Sequence, residues 1–245
     1  MLNYQRRVCE LIEKHTTRKV SKALEIGGLP DDREVSRLLL SEIVHDLLSI
    51  NINKNLVDVR DGRYSFKVMD ARNIRCGNES FELIYGTAIL EHINDLDAFF
   101  QSVYDAATKN GLVVFHGGPL WASHWGHHLW IKTKSNVFSF NGTRGENPLP
   151  NWSHLFWSKK EMETYLIEKG LTVSDSKAIC EMVYDSDTIN REPYDNIIQS
   201  AIRAGFNIVE VIGEEWKRPP AEVLNKISVD NPSIGSMYLV LKKYN

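Results

Sequence analysis

From Phe81 to Trp121 the chain reads FELIYGTAILEHINDLDAFFQSVYDAATKNGLVVFHGGPLW. This is a strand, an acidic-histidine turn, a capped helix and a second strand in unbroken succession. Phe81 to Gly86 is a short apolar run closed by a glycine, as a buried strand requires. Asn94 or Asp95 caps a helix whose buried face takes Leu96, Phe99, Phe100 and Val103. Asn110-Gly111 supplies its C-terminal stop, and Leu112 to His116 is again apolar and strand-like. Two strands joined by a helix pair in parallel, and a parallel sheet carries helices on its faces.

The flanking sequence extends the same alternation. Tyr4 to about Lys19 places Val8, Leu11 and Ile12 at helical spacing, which predicts an amphipathic lead-in helix. A first strand covers Lys22 to Ile26 and closes on Gly27-Gly28. Asp31 or Asp32 then caps a helix carrying Val35, Leu38, Leu39 and Leu40. Further strands are expected near Leu47 to Ile52 and Tyr64 to Met69, so that Phe81 to Gly86 is the fourth and Leu112 to His116 the fifth. Beyond the fifth strand, residues 121–203 are rich in aromatics and turn residues and poor in strand patterning. Gly205 to Ile212 and Ser236 to Lys242 close the chain as two strands without an obvious helix between them, which suits an antiparallel edge.

Composition narrows the class. The 245 residues suffice for one large domain, or one domain with an insertion. A net charge of −3, with Lys and Arg scattered, gives no basic groove for nucleic acid and no attraction to an anionic membrane. The three cysteines stand far apart without a CxxC pair, which argues against a disulfide framework or a structural zinc site. No apolar run approaches the roughly 18 residues of a membrane span, and MLNYQRRVCELIEKH has no signal-like apolar core. A cytoplasmic protein is expected, with neither nucleic acid nor membrane as a partner and with a homodimer left open.

The LEH turn and the apolar run ending in GGP resemble the second half of the core of a class I S-adenosylmethionine (SAM) methyltransferase, of the methyltransferase type 11 kind. The resemblance implies a Rossmann-like α/β fold. That is a doubly wound, mostly parallel seven-stranded sheet with an antiparallel edge, plus a helical and aromatic insert after the fifth strand. Residues 1–245 would form a single methyltransferase domain, with 121–203 as an insert or lid forming the acceptor side. SAM would lie at the carboxyl ends of the strands. There Glu25, Gly27 and Gly28 match the acidic and glycine positions of the first turn, although Leu29-Pro30 replaces further glycines. Asn51 stands where the family has an acid for the ribose hydroxyls. Asp70 and Ala71 match the turn that meets adenine, and Gly86, Thr87, Ala88 and Glu91 would lie against the methionine part. The bland reading of these turns is a set of ordinary strand-to-helix connections.

Four of the eight histidines and four of the six tryptophans fall between Trp121 and His154. A hydroxyl nucleophile needs a proton acceptor, and histidine is the usual one near neutral pH. His127, His128 and His92 are the candidates for base or orienter. Trp121, His124, Trp125, His154 and Arg191 are candidates for contacting an acceptor, although the tryptophans could equally be the core of the insert. A metal bound by His124, His127 and His128 lacks a carboxylate ligand, so none is expected. GPLWASHWGHHLW, NWSHLFWSKKEM and VYDSDTINR resemble small bacterial methyltransferases of surface-glycan and natural-product biosynthesis. That resemblance implies a hydroxyl acceptor on a sugar nucleotide, a glycan precursor or a related phosphorylated metabolite. Asp185, Ser186, Asp187, Asn190 and Arg191 would close the lid. The competing expectation is a degenerate domain that binds or regulates without catalysis.

Overall fold

The structure is a computed structural model that describes residues 2–30, 43–77 and 80–244. In chain order its elements are α1 (Asn3–His15), β1 (Val20–Ile26), β2 (Val44–Asn51), β3 (Val59–Asp61), β4 (Tyr64–Val68), β5 (Phe81–Gly86), α2 (Leu96–Ala106) and β6 (Ala107–Gly117). There follow β7 (Trp130–Lys132), β8 (Val137–Ser139), α3 (Ser153–Phe156), α4 (Lys159–Glu168) and α5 (Val173–Tyr184). The chain ends with α6 (Tyr194–Arg203), β9 (Asn207–Glu215), α7 (Ala221–Leu224) and β10 (Ile234–Lys242). The helix expected over Val35 to Leu40, with its Asp31 or Asp32 cap, lies outside the described residues.

One sheet has the order β3-β4-β2-β1-β5-β6-β10-β9. Pairing is parallel from β4 through β2, β1 and β5 to β6, and antiparallel for β3 with β4 and for β10 with β6. The expected fold class therefore holds, with eight strands rather than seven. The extra strand is β3, which pairs with β4 across the Gly62 turn.

The chain divides into two compact units. The first comprises residues 1–117, 196–212 and 237–245, and the second residues 118–195 and 213–236. In the first unit β5 and β10 are buried on both faces over most of their length and are largely apolar there. On one face Val8, Leu11 and Ile12 of α1 join Tyr85, Val114 and Val240. On the other, Phe99 and Phe100 of α2 meet Phe115, with ring centroids 5.3 and 6.3 Å away. Asp95 caps α2 by accepting from the Ala98 N–H at 3.1 Å.

The end of α2 departs from expectation. The helix stops at Ala106 and β6 begins at once, so Asn110-Gly111 lies inside the strand. Asn110 takes a φ of +64°, and the pairing of β5 with β6 shifts register between Phe81 and Leu83. The two residues mark an irregularity in a long strand rather than a helix stop.

The second unit has its own core of Leu129, Phe138, Leu149, Met162, Leu166, Ile179, Cys180 and Val183. The two-stranded β7-β8 ribbon and helices α4 and α5 supply it. Ser158 and Glu161 form a reciprocal capping box that starts α4.

Candidate functional site

In the first unit the strand order reverses between β1 and β5, and such switch points are where sheets of this kind bind ligands. Register pairing places Glu25 beside Ser49 and Tyr85, and Ile26 beside Ile50 and Gly86. The turn after β1 is tight. Gly27 has φ +87°, and a Cβ at Gly28 would lie 2.1 Å from Ser49 Oγ and 2.4 Å from Glu25 Oε2. A side chain at 28 would displace the Glu25 carboxylate and the Ser49 hydroxyl packed beneath the turn. Ser49 Oγ is fully buried and finds no hydrogen-bond partner among the described residues.

Asn51 is drawn into this same turn. Its Nδ2 donates to the carbonyls of Gly27 at 3.2 Å and Gly28 at 3.0 Å, while its Oδ1 accepts from the Asn53 N–H at 3.0 Å. The side chain latches the end of β2 to the glycine turn, and Oδ1 keeps one lone pair for a ligand hydroxyl. An aspartate could not make the two donor bonds, which gives a physical reason for the amide.

Asp70 caps the 3₁₀ turn Ala71–Asn73 by accepting from the Arg72 N–H at 2.9 Å. Its carboxylate also takes the Arg72 guanidinium in a fork, with Nη2 to Oδ2 at 2.7 Å. The Arg72 hydrogen bonds hold this carboxyl below its ordinary value. Ala71 is buried beside it.

At the end of β5 a Cβ on Gly86 would meet the Ile26 carbonyl at 2.8 Å. Thr87 and Ala88 continue the turn, Ala88 with φ +52°. The turn is held by His116 on β6, a residue absent from the sequence candidates. His116 Nδ1 accepts from the Ala88 N–H at 3.1 Å and its carbonyl accepts from the Ile89 N–H at 3.1 Å. Its ring stacks on Tyr4 of α1, with centroids 4.9 Å apart and planes 2° apart. Burial pushes its pKa down to about 4, so the ring is neutral. Its position at the strand end before Gly117-Gly118-Pro119 was the available signal. Glu91 is buried, while the His92 side chain is 43% exposed with Nε2 3.9 Å from Glu91 Oε1.

The other candidates lie in the second unit. His127 is fully buried and its Nδ1 accepts from the Leu129 N–H at 3.1 Å, so its proton sits on Nε2 and it acts as a donor. His154 Nε2 donates to the Trp121 carbonyl at 2.8 Å, which leaves Nδ1 as its acceptor. The two rings stand edge to face with centroids 5.5 Å apart. Burial lowers both pKa values, that of His154 to about 4. His124 is flanked by Trp125 and Trp152, with centroids at 4.4 and 5.6 Å. His128 has φ +48° and faces Phe140 at 5.0 Å.

Arg191 sits over the Trp121 ring at 5.4 Å, and its Nη2 donates to the carbonyls of Val183 and Ser186 at 3.0 Å each. It closes the C-terminal end of α5 as well as lining Trp121. Trp152 is fully buried and donates to the Pro232 carbonyl at 3.0 Å, so it is core. Among the described residues no cluster of three or more His, Cys, Asp or Glu side chains could hold a metal, and no helix is long and apolar enough to cross a membrane.

Residues 33–115 match the model of a family described as a methyltransferase domain. The match takes in Asn51, Asp70, Gly86 and the LEH turn, and begins after the Gly27-Gly28 turn. No curated protein matches the chain. Among solved structures, an S-adenosylmethionine-dependent methyltransferase from Clostridium acetobutylicum aligns over 100% of this chain and 93% of its own, with a TM-score of 0.55 and 11% identity. One from Mesorhizobium loti aligns over 95% of this chain and 96% of its own, with a TM-score of 0.54 and 12% identity. The chain thus has the fold seen in these methyltransferases, and residues 33–115 match a methyltransferase domain.

Proposed function

We propose that this protein transfers a methyl group from SAM to a hydroxyl of a small polar acceptor, a sugar nucleotide, glycan precursor or related phosphorylated metabolite. The observation that carries the reading is the convergence of Glu25, Gly27, Gly28, Asn51 and Gly86 at the switch point of the sheet. These residues fit the cofactor. Gly28 brings backbone close over the Glu25 carboxylate, Asn51 Oδ1 retains a lone pair for a ribose hydroxyl, and the Gly86 to Ala88 turn is held open by His116. Asp70 reaches an adenine amino group only by releasing part of its fork with Arg72.

When bound, SAM supplies an electrophilic methyl on sulfonium, and in-line alignment of the acceptor oxygen provides much of the rate. The chain contributes positioning and a proton acceptor. His127 is better suited to donate a hydrogen bond than to take a proton, since its Nδ1 is already an acceptor. His128 and His92 remain as the bases, and His92 is the more exposed. Trp121, His124, Trp125, His154 and Arg191 stay assigned to the acceptor side, with residues 121–203 as the insert that carries most of it.

A second reading, a degenerate domain that binds without catalysis, is favoured by the engagement of both Asn51 and Asp70 within the protein. Incubation with methyl-labelled SAM and a panel of sugar nucleotides separates the two. Label in an ether-stable product supports the transferase, whereas SAM binding without transfer to any hydroxyl acceptor contradicts the proposed chemistry.

A further inference from the structure

Within the second unit, Trp125, proposed above for the acceptor side, forms an aromatic corner with Trp216, which that proposal does not use. Their ring centroids are 6.2 Å apart and their planes meet at 69°. His124 packs against both, edge-to-face with Trp216 at 6.1 Å. It is only 5% exposed, and its Nδ1 has no hydrogen-bond partner among the described residues.

Trp216 is nevertheless 40% exposed, an unusual placement for the largest apolar side chain. Its indole is seated deliberately. A Cβ on Gly235 would lie 1.9 Å from the indole Cδ2, so only glycine at 235 lets the ring lie flat on the backbone. The Trp216 N–H donates to the Ser233 carbonyl at 3.0 Å, which fixes the start of the side chain. Lys217 follows, exposed; burial, and after it the Lys217 charge, lowers the pKa of His124 to about 4. No ion pair involves Lys217 among the described residues, whereas its neighbour Arg218 is paired with Glu215 at 3.0 Å.

We infer that Trp125, Trp216, His124 and Lys217 form the subsite for a nucleotide-linked sugar. A pyranose or a base stacks on an exposed indole face, which every planar or flat-faced ring can do. His124 backs the two indoles from the buried side, and Lys217 meets the diphosphate as a point charge. Neither Trp216 nor Lys217 was among the sequence candidates. The inference rests on the proposed acceptor class, but it concerns binding alone.

The test titrates UDP-glucose into the protein while following tryptophan fluorescence, with methyl glucoside and UDP as separate probes and SAM titrated into the same samples. The wild-type protein should bind UDP-glucose, and W216A should weaken that binding about tenfold or more. W216F should retain most of it. K217Q, a change at an exposed side chain, should weaken UDP-glucose and UDP several-fold while leaving methyl glucoside unaffected. G235A, which pushes the indole from its seat, should behave like W216A. Undiminished UDP-glucose binding in both W216A and K217Q overturns the subsite, as does no binding to the wild type when SAM binds. UDP-glucose binding without SAM binding supports the subsite and removes the methyltransferase reading instead.

Discussion

Replacing His116 by phenylalanine removes one hydrogen bond at the heart of the turn after β5. The new ring matches imidazole closely enough to keep the stack on Tyr4 at 4.9 Å and the contact with Tyr238 at 4.7 Å. What disappears is the acceptor for the Ala88 N–H. Leaving a fully buried donor without a partner costs about 1–3 kcal/mol, and the Ala88 N–H is part-buried, so H116F should be less stable by up to about that amount near pH 7.5.

The pH dependence then runs the other way. Folded His116 has a pKa of about 4, and in the unfolded chain the ring returns to about 6.5. Between those values the unfolded chain binds a proton that the folded ring refuses, so acid favours unfolding of the wild type. His116 therefore contributes fully above pH 6.5, and its contribution falls by about 2 kcal/mol by pH 5. The variant carries no such loss. Urea unfolding followed by circular dichroism at about pH 7.5 and about pH 5 should show the stability gap closing in acid. A gap that is constant or grows on acidification would refute the account of a neutral, buried His116 holding the turn.

Three further outcomes bear on the same account. Gly28→Ala places a methyl 2.1 Å from Ser49 Oγ, so SAM affinity should fall at least about tenfold in calorimetry with the circular dichroism spectrum retained; unchanged affinity would remove the turn from the site. His128→Ala should lower turnover about 10²- to 10⁴-fold with little change in SAM affinity, and an equal loss of both would make it structural. Phe99→Ala, at a fully buried ring packed on Phe100 and Phe115, should cost about 3–5 kcal/mol in denaturant unfolding; a loss below about 1 kcal/mol would contradict the packing described for α2.

Much of the parallel sheet was legible because buried strands leave short, mostly apolar runs. Phe81–Gly86 matches its expected bounds, and Val8, Leu11 and Ile12 face the core as their spacing predicts. Asn110-Gly111 misled because a positive-φ Asn before Gly serves a strand irregularity as readily as a helix end, and periodicity does not separate the two. The short strand β3 carries only three residues, too few for a period-2 signal.

The geometry of the candidate site was legible where its residues are local in the chain, as in the tight turn at Glu25-Ile26-Gly27-Gly28. It was hidden where partners are distant. Asn51 latching onto Gly27 and Gly28, and His116 accepting from Ala88 across 28 positions, are tertiary hydrogen bonds with no trace in spacing. Trp216 was equally opaque, since its seat on Gly235 and its corner with Trp125 exist only in the folded unit.

Isothermal titration of the purified protein with SAM and with S-adenosylhomocysteine tests the central claim most directly. Micromolar binding of either, lost in Gly28→Ala, is the result the account predicts. The absence of heat from both ligands at millimolar concentration, with and without UDP-glucose present, would contradict it.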